Sequence, residues 1–133
     1  MIRRYGIDTS ILVRLLTKDP RPEYERCVAK LASLVNERSY EFFASNQVIG
    51  EAYIAVQHHY DVSRDDARSA LLMLLKNSGL VRPLNGRAVI RALMATGGPG
   101  LFDRLIANGY DRADLEVFTL DRKMATLPNA RKL

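Results

Sequence analysis

Cysteine occurs once in these 133 residues, which excludes an intrachain disulfide and fits a reducing compartment. That residue, Cys27, shares a helical stripe with Tyr24, Val28, Leu31, Leu34 and Val35. No activating base accompanies it, so it reads as a core thiol and not as a nucleophile. Histidine occurs twice, as the neighbours His58 and His59. Adjacent helical side chains point about 100° apart, which prevents both from chelating one ion and leaves them as surface residues near a helix end. Long apolar runs are missing too. The longest strongly apolar stretch, Ala70 to Leu75, falls far short of a membrane span. Asp8 interrupts what would have to be the apolar core of a signal peptide behind Met1-Ile2-Arg3-Arg4. No repeat, low-complexity segment or linker divides the chain, and no Gly-rich segment ends in Gly-Lys-Ser or Gly-Lys-Thr, which excludes a P-loop. The expectation is one soluble domain over residues 1–133, long enough to bury roughly two-thirds of its unfolded surface.

Positive charge is in excess: 20 Lys and Arg face 15 Asp and Glu. Such a surface attracts polyanions, nucleic acid among them. Within it stand four carboxylates, Asp8, Glu51, Asp103 and Asp121, each beside apolar residues of an expected strand or helix. An unpaired carboxylate there is costly unless a cation or hydrogen-bond donors meet it. A basic chain with a concentrated acidic pocket fits an enzyme that grips a phosphate backbone and places metal ions against it.

The elements alternate. Arg3 to Asp8 is a short strand, Asp8-Thr9-Ser10 can cap a helix, and Ile11, Leu12, Leu15 and Leu16 follow at helical spacing. Pro20 and Pro22 end that helix, and a second runs to about Glu37. Tyr40 to Ala44 is a strand. Ser45 or Asn46 caps the next helix, and Ser63 with Asp66 opens another through Lys76, so residues 46–76 form a helical hairpin. Leu80 to Pro83 is a short strand and Gly86 to Thr96 a helix. After the break Gly97-Gly98-Pro99-Gly100, Pro99 is the expected first helical position of a segment reaching about Asn108. Leu115 to Leu120 is a strand, Asp121 caps a last short helix, and Ala130 to Leu133 is an abbreviated strand. Strands separated by helices imply an α/β fold, a short central parallel sheet flanked by helices in three layers. Ligands of such sheets bind beyond the carboxyl ends of the strands, where Asp8 and Asp121 fall.

Read singly, each carboxylate has an ordinary explanation. Asp8 and Asp121 are placed as helix N-caps, Glu51 as a solvated residue beside an apolar stripe, and Asp103 as an acid favoured by a helix dipole. Thr9 and Ser10 are themselves cap-competent, so a carboxylate is not required at Asp8. Small neighbours Gly50, Ala52 and Ala55 leave room around Glu51. An aspartyl phosphotransferase of the haloacid-dehalogenase kind lacks its second Asp two residues after Asp8, and a receiver domain lacks acids before it.

Four segments taken together carry a resemblance: Ile7-Asp8-Thr9-Ser10-Ile11-Leu12-Val13-Arg14-Leu15-Leu16, Val48-Ile49-Gly50-Glu51, Phe102-Asp103-Arg104-Leu105-Ile106-Ala107, and Phe118-Thr119-Leu120-Asp121-Arg122-Lys123. In this order and spacing the chain resembles the PIN-domain family almost end to end, and within it most resembles the VapC-type toxins of toxin–antitoxin pairs. The resemblance implies a three-layer α/β/α PIN-like fold and metal-dependent endonucleolytic cleavage of RNA in the cytoplasm, with a small antitoxin as partner. It makes Asp8, Glu51, Asp103 and Asp121 the catalytic, metal-binding set, with Thr9 or Ser10 and Thr119 as supporting hydroxyls. For in-line hydrolysis by metal-activated water the expectation is Asp8 and Asp103 as principal ligands, with Glu51 and Asp121 as further ligands or water-orienting groups. Arg14, Arg104, Arg122 and Lys123 are candidates for contacts to RNA phosphates. The implied cofactor is Mg²⁺ or Mn²⁺, hard cations that prefer oxygen ligands. One departure is Gly100, three positions before Asp103, where many relatives carry a further acid. A PIN scaffold that binds RNA or protein without cutting, and a stand-alone RNA-processing nuclease, are the alternatives. Leu71 to Leu75 make their helix apolar nearly all round, which either a homodimer contact or a fully internal position explains.

Overall fold

The structure is a computed structural model describing residues 2–133, so Met1 of the N-terminal segment lies outside the described residues. Strand β1 (Arg3–Gly6) is followed by α1 (Thr9–Thr17), α2 (Arg21–Arg38), β2 (Tyr40–Ala44), α3 (Asn46–His59) and α4 (Arg64–Asn77). Then come β3 (Arg82–Pro83), α5 (Arg87–Met94), α6 (Leu101–Arg112), β4 (Val117–Thr119), a 3₁₀ turn at Met124–Thr126 and β5 (Ala130–Lys132).

Local chemistry sets most boundaries. Asp8, Ser45 and Ser63 each accept a hydrogen bond from a backbone N–H in the first turn of the helix that follows, satisfying donors the helix cannot. Helices α1 and α2 stop where Lys18 and Ser39 turn left-handed, with φ of 57° and 56°. Helices α3 and α4 follow one another and pack together.

The strands run parallel and the helices lie between them in sequence, giving the three-layer α/β/α architecture. The central sheet is divided, however. One sheet has the order β1-β2-β3, with Arg3 opposite Tyr40 and Phe43 opposite Arg82; β4 and β5 form a second, with Val117 opposite Ala130. The main core gathers Leu12 and Leu15 of α1, Ile49 and Ala52 of α3, Leu71 and Leu75 of α4, Val89 of α5 and Leu101 of α6. A small separate cluster of Ala107, Val117, Met124 and Ala130 fastens the second sheet to α6, helped by Asn129 donating to the Ala107 carbonyl at 2.8 Å.

Two boundaries differ from the sequence reading. Helix α6 begins at Leu101, not Pro99, because Arg104 donates to the carbonyls of Pro99 and Gly97 at 2.9 and 3.1 Å and Gly100 stays extended. It also runs one turn beyond Asn108, continuing the apolar spacing Phe102, Ile106, Tyr110. After Asp121 a three-residue 3₁₀ turn stands in place of a short α-helix, with Lys123 at its N-cap position and Asp121 Oδ1 accepting from the Met124 N–H. Pro128 holds Leu127 extended and stops the turn from growing.

Candidate acidic site

The chain leaves β1 through buried Ile7, still bonded to the Phe43 carbonyl at 2.9 Å, and Asp8 follows in extended conformation. Its carboxylate folds back over the start of α1. Oδ1 accepts from the Ser10 N–H at 3.0 Å and from the Ser10 hydroxyl at 2.6 Å. The Ser10 hydroxyl, more than the backbone donors, holds this carboxyl below its ordinary value and keeps it ionised. Thr9, on the next position, donates its hydroxyl to Glu51 Oε1 at 3.0 Å. That bond crosses from α1 to α3 and fixes the exposed Glu51 side chain between buried Gly50 and Ala52.

Glu51 and Asp103 are linked one residue upstream. A Cβ built on Gly50 would stand 3.0 Å from two atoms of the Phe102 ring, so any larger residue there needs that ring to give way. Asp103 projects next to that contact, partly buried. Burial first, and the charge of Asp121 second, push its carboxyl above its ordinary value. Asp121 is itself fixed at the end of β4: its N–H donates to the Thr119 hydroxyl at 3.0 Å, and its Oδ1 accepts from the Met124 N–H at 2.9 Å. Each of the hydroxyls of Thr9, Ser10 and Thr119 therefore touches one of the acidic residues.

Of the four carboxylates, Asp103 is placed within reach of the charge of Asp121. Asp8 and Glu51 are joined instead to neighbouring hydroxyls. Among the described residues, no group of three or more His, Cys, Asp or Glu side chains is arranged to hold an ion, and none of the four acids takes part in a salt bridge. The donor set still fits a hard divalent cation in its chemistry. Every donor is an oxygen, Mg²⁺ commonly takes only one or two carboxylates, and the Asp103–Asp121 repulsion is the kind a cation relieves.

The basic residues divide as well. Arg122 and Lys123 are exposed directly after Asp121. The Arg104 guanidinium is engaged by the loop carbonyls, and half-buried Arg14 lies near enough to Cys27 for its charge to act on the thiol, on the side of α2. Burial outweighs that influence and pushes the Cys27 thiol up, as suits a packed, inert cysteine. His58 and His59 are exposed in the last turn of α3.

One group escaped the sequence reading. Asn46 Nδ2 donates to the Leu105 carbonyl at 2.9 Å and to Asn108 Oδ1 at 2.8 Å, and Asn85 Nδ2 reaches the same oxygen at 3.1 Å. These amides tie the start of α3 and the loop after β3 to the helix that bears Asp103. Their only sequence signal is three asparagines at or near element ends, which local capping explains equally well.

A family model described as the PIN domain matches residues 5–130, from within β1 to the start of β5. No curated protein matches, and no solved structure does.

Proposed function

The chain belongs to the PIN-domain family, whose members are generally metal-dependent nucleases, and from that membership we propose that it is an endoribonuclease hydrolysing RNA phosphodiester bonds with Mg²⁺ or Mn²⁺. The observation that carries the reading is the family match over residues 5–130. It is supported by Asp103, which burial and the charge of Asp121 push above its ordinary value, and by the lack of a cationic side chain bridged to either acid among the described residues. Asp103 and Asp121 would hold the ion, with Asp8 and Glu51 as further oxygen donors. When bound, a divalent cation supplies positive charge at the scissile phosphate and lowers the pKa of water for in-line attack. The chain's own part is positional. Ser10 keeps Asp8 ionised and aimed, Thr9 holds Glu51, Thr119 and the 3₁₀ turn fix Asp121, and Arg122 and Lys123 offer cations to the phosphates beside it.

Within the family the reading favoured is the toxin of a VapC-type toxin–antitoxin pair, acting in the cytoplasm with a small antitoxin as partner. Its support is the exposed apolar groove of about 490 Å³ along α6, walled by Phe102, Ile106, Tyr110 and Leu115. Apolar surface of that kind marks interaction sites. A homodimer belongs to the same reading, and a stand-alone RNA-processing nuclease is its alternative. A non-catalytic scaffold is disfavoured by the retention of all four acids. Purified protein incubated with a structured RNA mixture should cut it in Mg²⁺ or Mn²⁺ and not in EDTA. Binding of metal and RNA without cleavage across a broad substrate panel would instead favour the scaffold.

The Gly50–Phe102 contact supplies a second expected outcome. Gly50→Val should push the Phe102 ring away and shift Glu51 relative to Asp103. Misplacement by about 1 Å typically costs on the order of 100-fold, so cleavage should fall by roughly 10- to 100-fold with the helical circular dichroism unchanged. Adding Phe102→Ala makes room for the valine and should restore part of the rate; an additive loss in the double variant would count against this steric account.

A further inference from the structure

We propose that the strip of the β1-β2-β3 sheet bearing Phe43, Arg4 and Arg82 is a path for single-stranded RNA leading to the acidic site, with these three residues as its contacts; this rests on the ribonuclease reading. Strand alternation and register put Arg4, Gly6, Glu41, Phe43 and Arg82 on one face. The other face carries Tyr5, Tyr40 and Phe42, whose rings pack at centroid distances of 4.9 to 6.4 Å. On the first face the guanidinium carbons of Arg4 and Arg82 lie 5.9 and 5.4 Å from the centre of the Phe43 ring. Glu41 accepts from both arginines, from Arg4 Nε at 3.1 Å, and so holds the two planar cations beside one aromatic ring.

Three features separate this cluster from an ordinary surface salt bridge. One carboxylate faces two guanidiniums, which leaves a net positive charge. The arginine side chains are 75% and 56% exposed, so donors not used by Glu41 face solvent. And a Cβ on Gly6, in register with Phe43, would meet nothing within 4 Å, so the strip beside the ring is open. An open strip with planar cations at an aromatic ring matches the chemistry of an unpaired base and its phosphate. The base stacks on ring or guanidinium while the remaining N–H groups take the phosphate oxygens. A duplex hides its base faces and lacks that complement. The direction is right as well: β1 runs from Arg4 past Gly6 to Asp8, two residues on. A strand of RNA lying here would end at the carboxylates, and the basic path would offset the repulsion its backbone meets there.

The test is fluorescence anisotropy with a labelled single-stranded RNA of mixed sequence and its duplex, in EDTA so that nothing is cut, across a salt series. Arg4→Gln and Arg82→Gln should each weaken single-strand binding about 3- to 10-fold and flatten the salt slope by about 0.7 for each phosphate no longer neutralised. Phe43→Leu should weaken the single strand about tenfold and the duplex little. Glu41→Gln discriminates most sharply. A path gains charge from it and binds RNA more tightly, whereas a network that serves only stability loses melting temperature and gains no affinity. If wild-type protein binds RNA while all four variants match it in affinity and salt slope, the path is overturned and the nuclease reading stands. If wild-type protein binds no RNA at low salt and cuts none, both fall. Equal weakening for an acidic peptide in place of RNA would overturn the path and make this face a protein-docking surface.

Discussion

Asp103→Asn is expected to abolish RNA cleavage while leaving the fold as stable as the wild type, or slightly more so. The two halves of that expectation come from the same electrostatics. Partial burial and the neighbouring Asp121 raise the Asp103 carboxyl above its ordinary value. The ionised form is therefore disfavoured in the folded chain relative to the unfolded one. Below the ordinary carboxylate pKa both states carry the proton and nothing is lost. As pH rises through the folded value, the folded state must give up its proton against the field of Asp121, so stability falls and the penalty persists at neutral pH. The neutral amide removes it. Asp103 is only partly buried, so the gain is only a few tenths of a kcal/mol after solvent screening. Activity moves the other way. Even groups that merely orient a metal ligand are worth roughly 10- to 100-fold, so loss of a direct oxygen donor should cost on the order of 100-fold or more. Thermal melts at pH 7 with and without Mn²⁺, beside cleavage rates, separate the effects. Wild type should be stabilised by Mn²⁺ and the variant much less. A variant that cuts normally, or that melts far below wild type in the absence of metal, would remove Asp103 from the proposed ion site.

Local rules made the start of the site legible. A strand ending in Asp-Thr-Ser before an apolar helical stripe predicts a helix cap within Asp8-Thr9-Ser10, and Ser45 and Ser63 announce their helices by the same side-chain-to-backbone chemistry. What stayed hidden is tertiary. Pro99 fits the first turn of a helix by every local criterion, yet Arg104 draws the Gly97 and Pro99 carbonyls out of the helical path. That also gives Arg104 a structural task where sequence proximity suggested a phosphate contact. The divided sheet was illegible because β4 and β5 are three residues each, and nothing in so short a strand specifies which neighbour it pairs with. For the acids, position at element ends was readable, but partnership was not. The sequence suggests Asp8 and Asp103 as principal ligands; in the structure the charge of Asp121 acts on Asp103 and the Ser10 hydroxyl donates to Asp8. Side-chain direction at the end of a strand depends on the turn that follows, and periodicity carries no information about it.

Helix α4 offers the second large effect, because its sequence is ambiguous and its structure is not. Leu71 to Leu75 read as apolar nearly all round, which suited either burial on every side or a second subunit. In the fold, Leu71 is 0% and Leu75 2% exposed, Leu72 and Leu74 are half-buried, and Met73 is 62% exposed. Leu71→Ala should therefore leave a cavity in the main core and destabilise by about 3 kcal/mol, within the usual range of roughly 2 to 5 for such truncations. In a domain of this size that lowers the melting temperature by roughly 10 °C. Met73→Ala removes a side chain already in water and should change stability by less than about 0.5 kcal/mol. Urea unfolding of both variants at two protein concentrations decides what covers this face. If Met73→Ala proves costly, and the cost appears only at the concentration where light scattering finds a dimer, then a second copy packs against α4 as the sequence allowed. If its cost is small at both concentrations, the apolar surplus of α4 is ordinary exposed surface, and any dimer must form elsewhere.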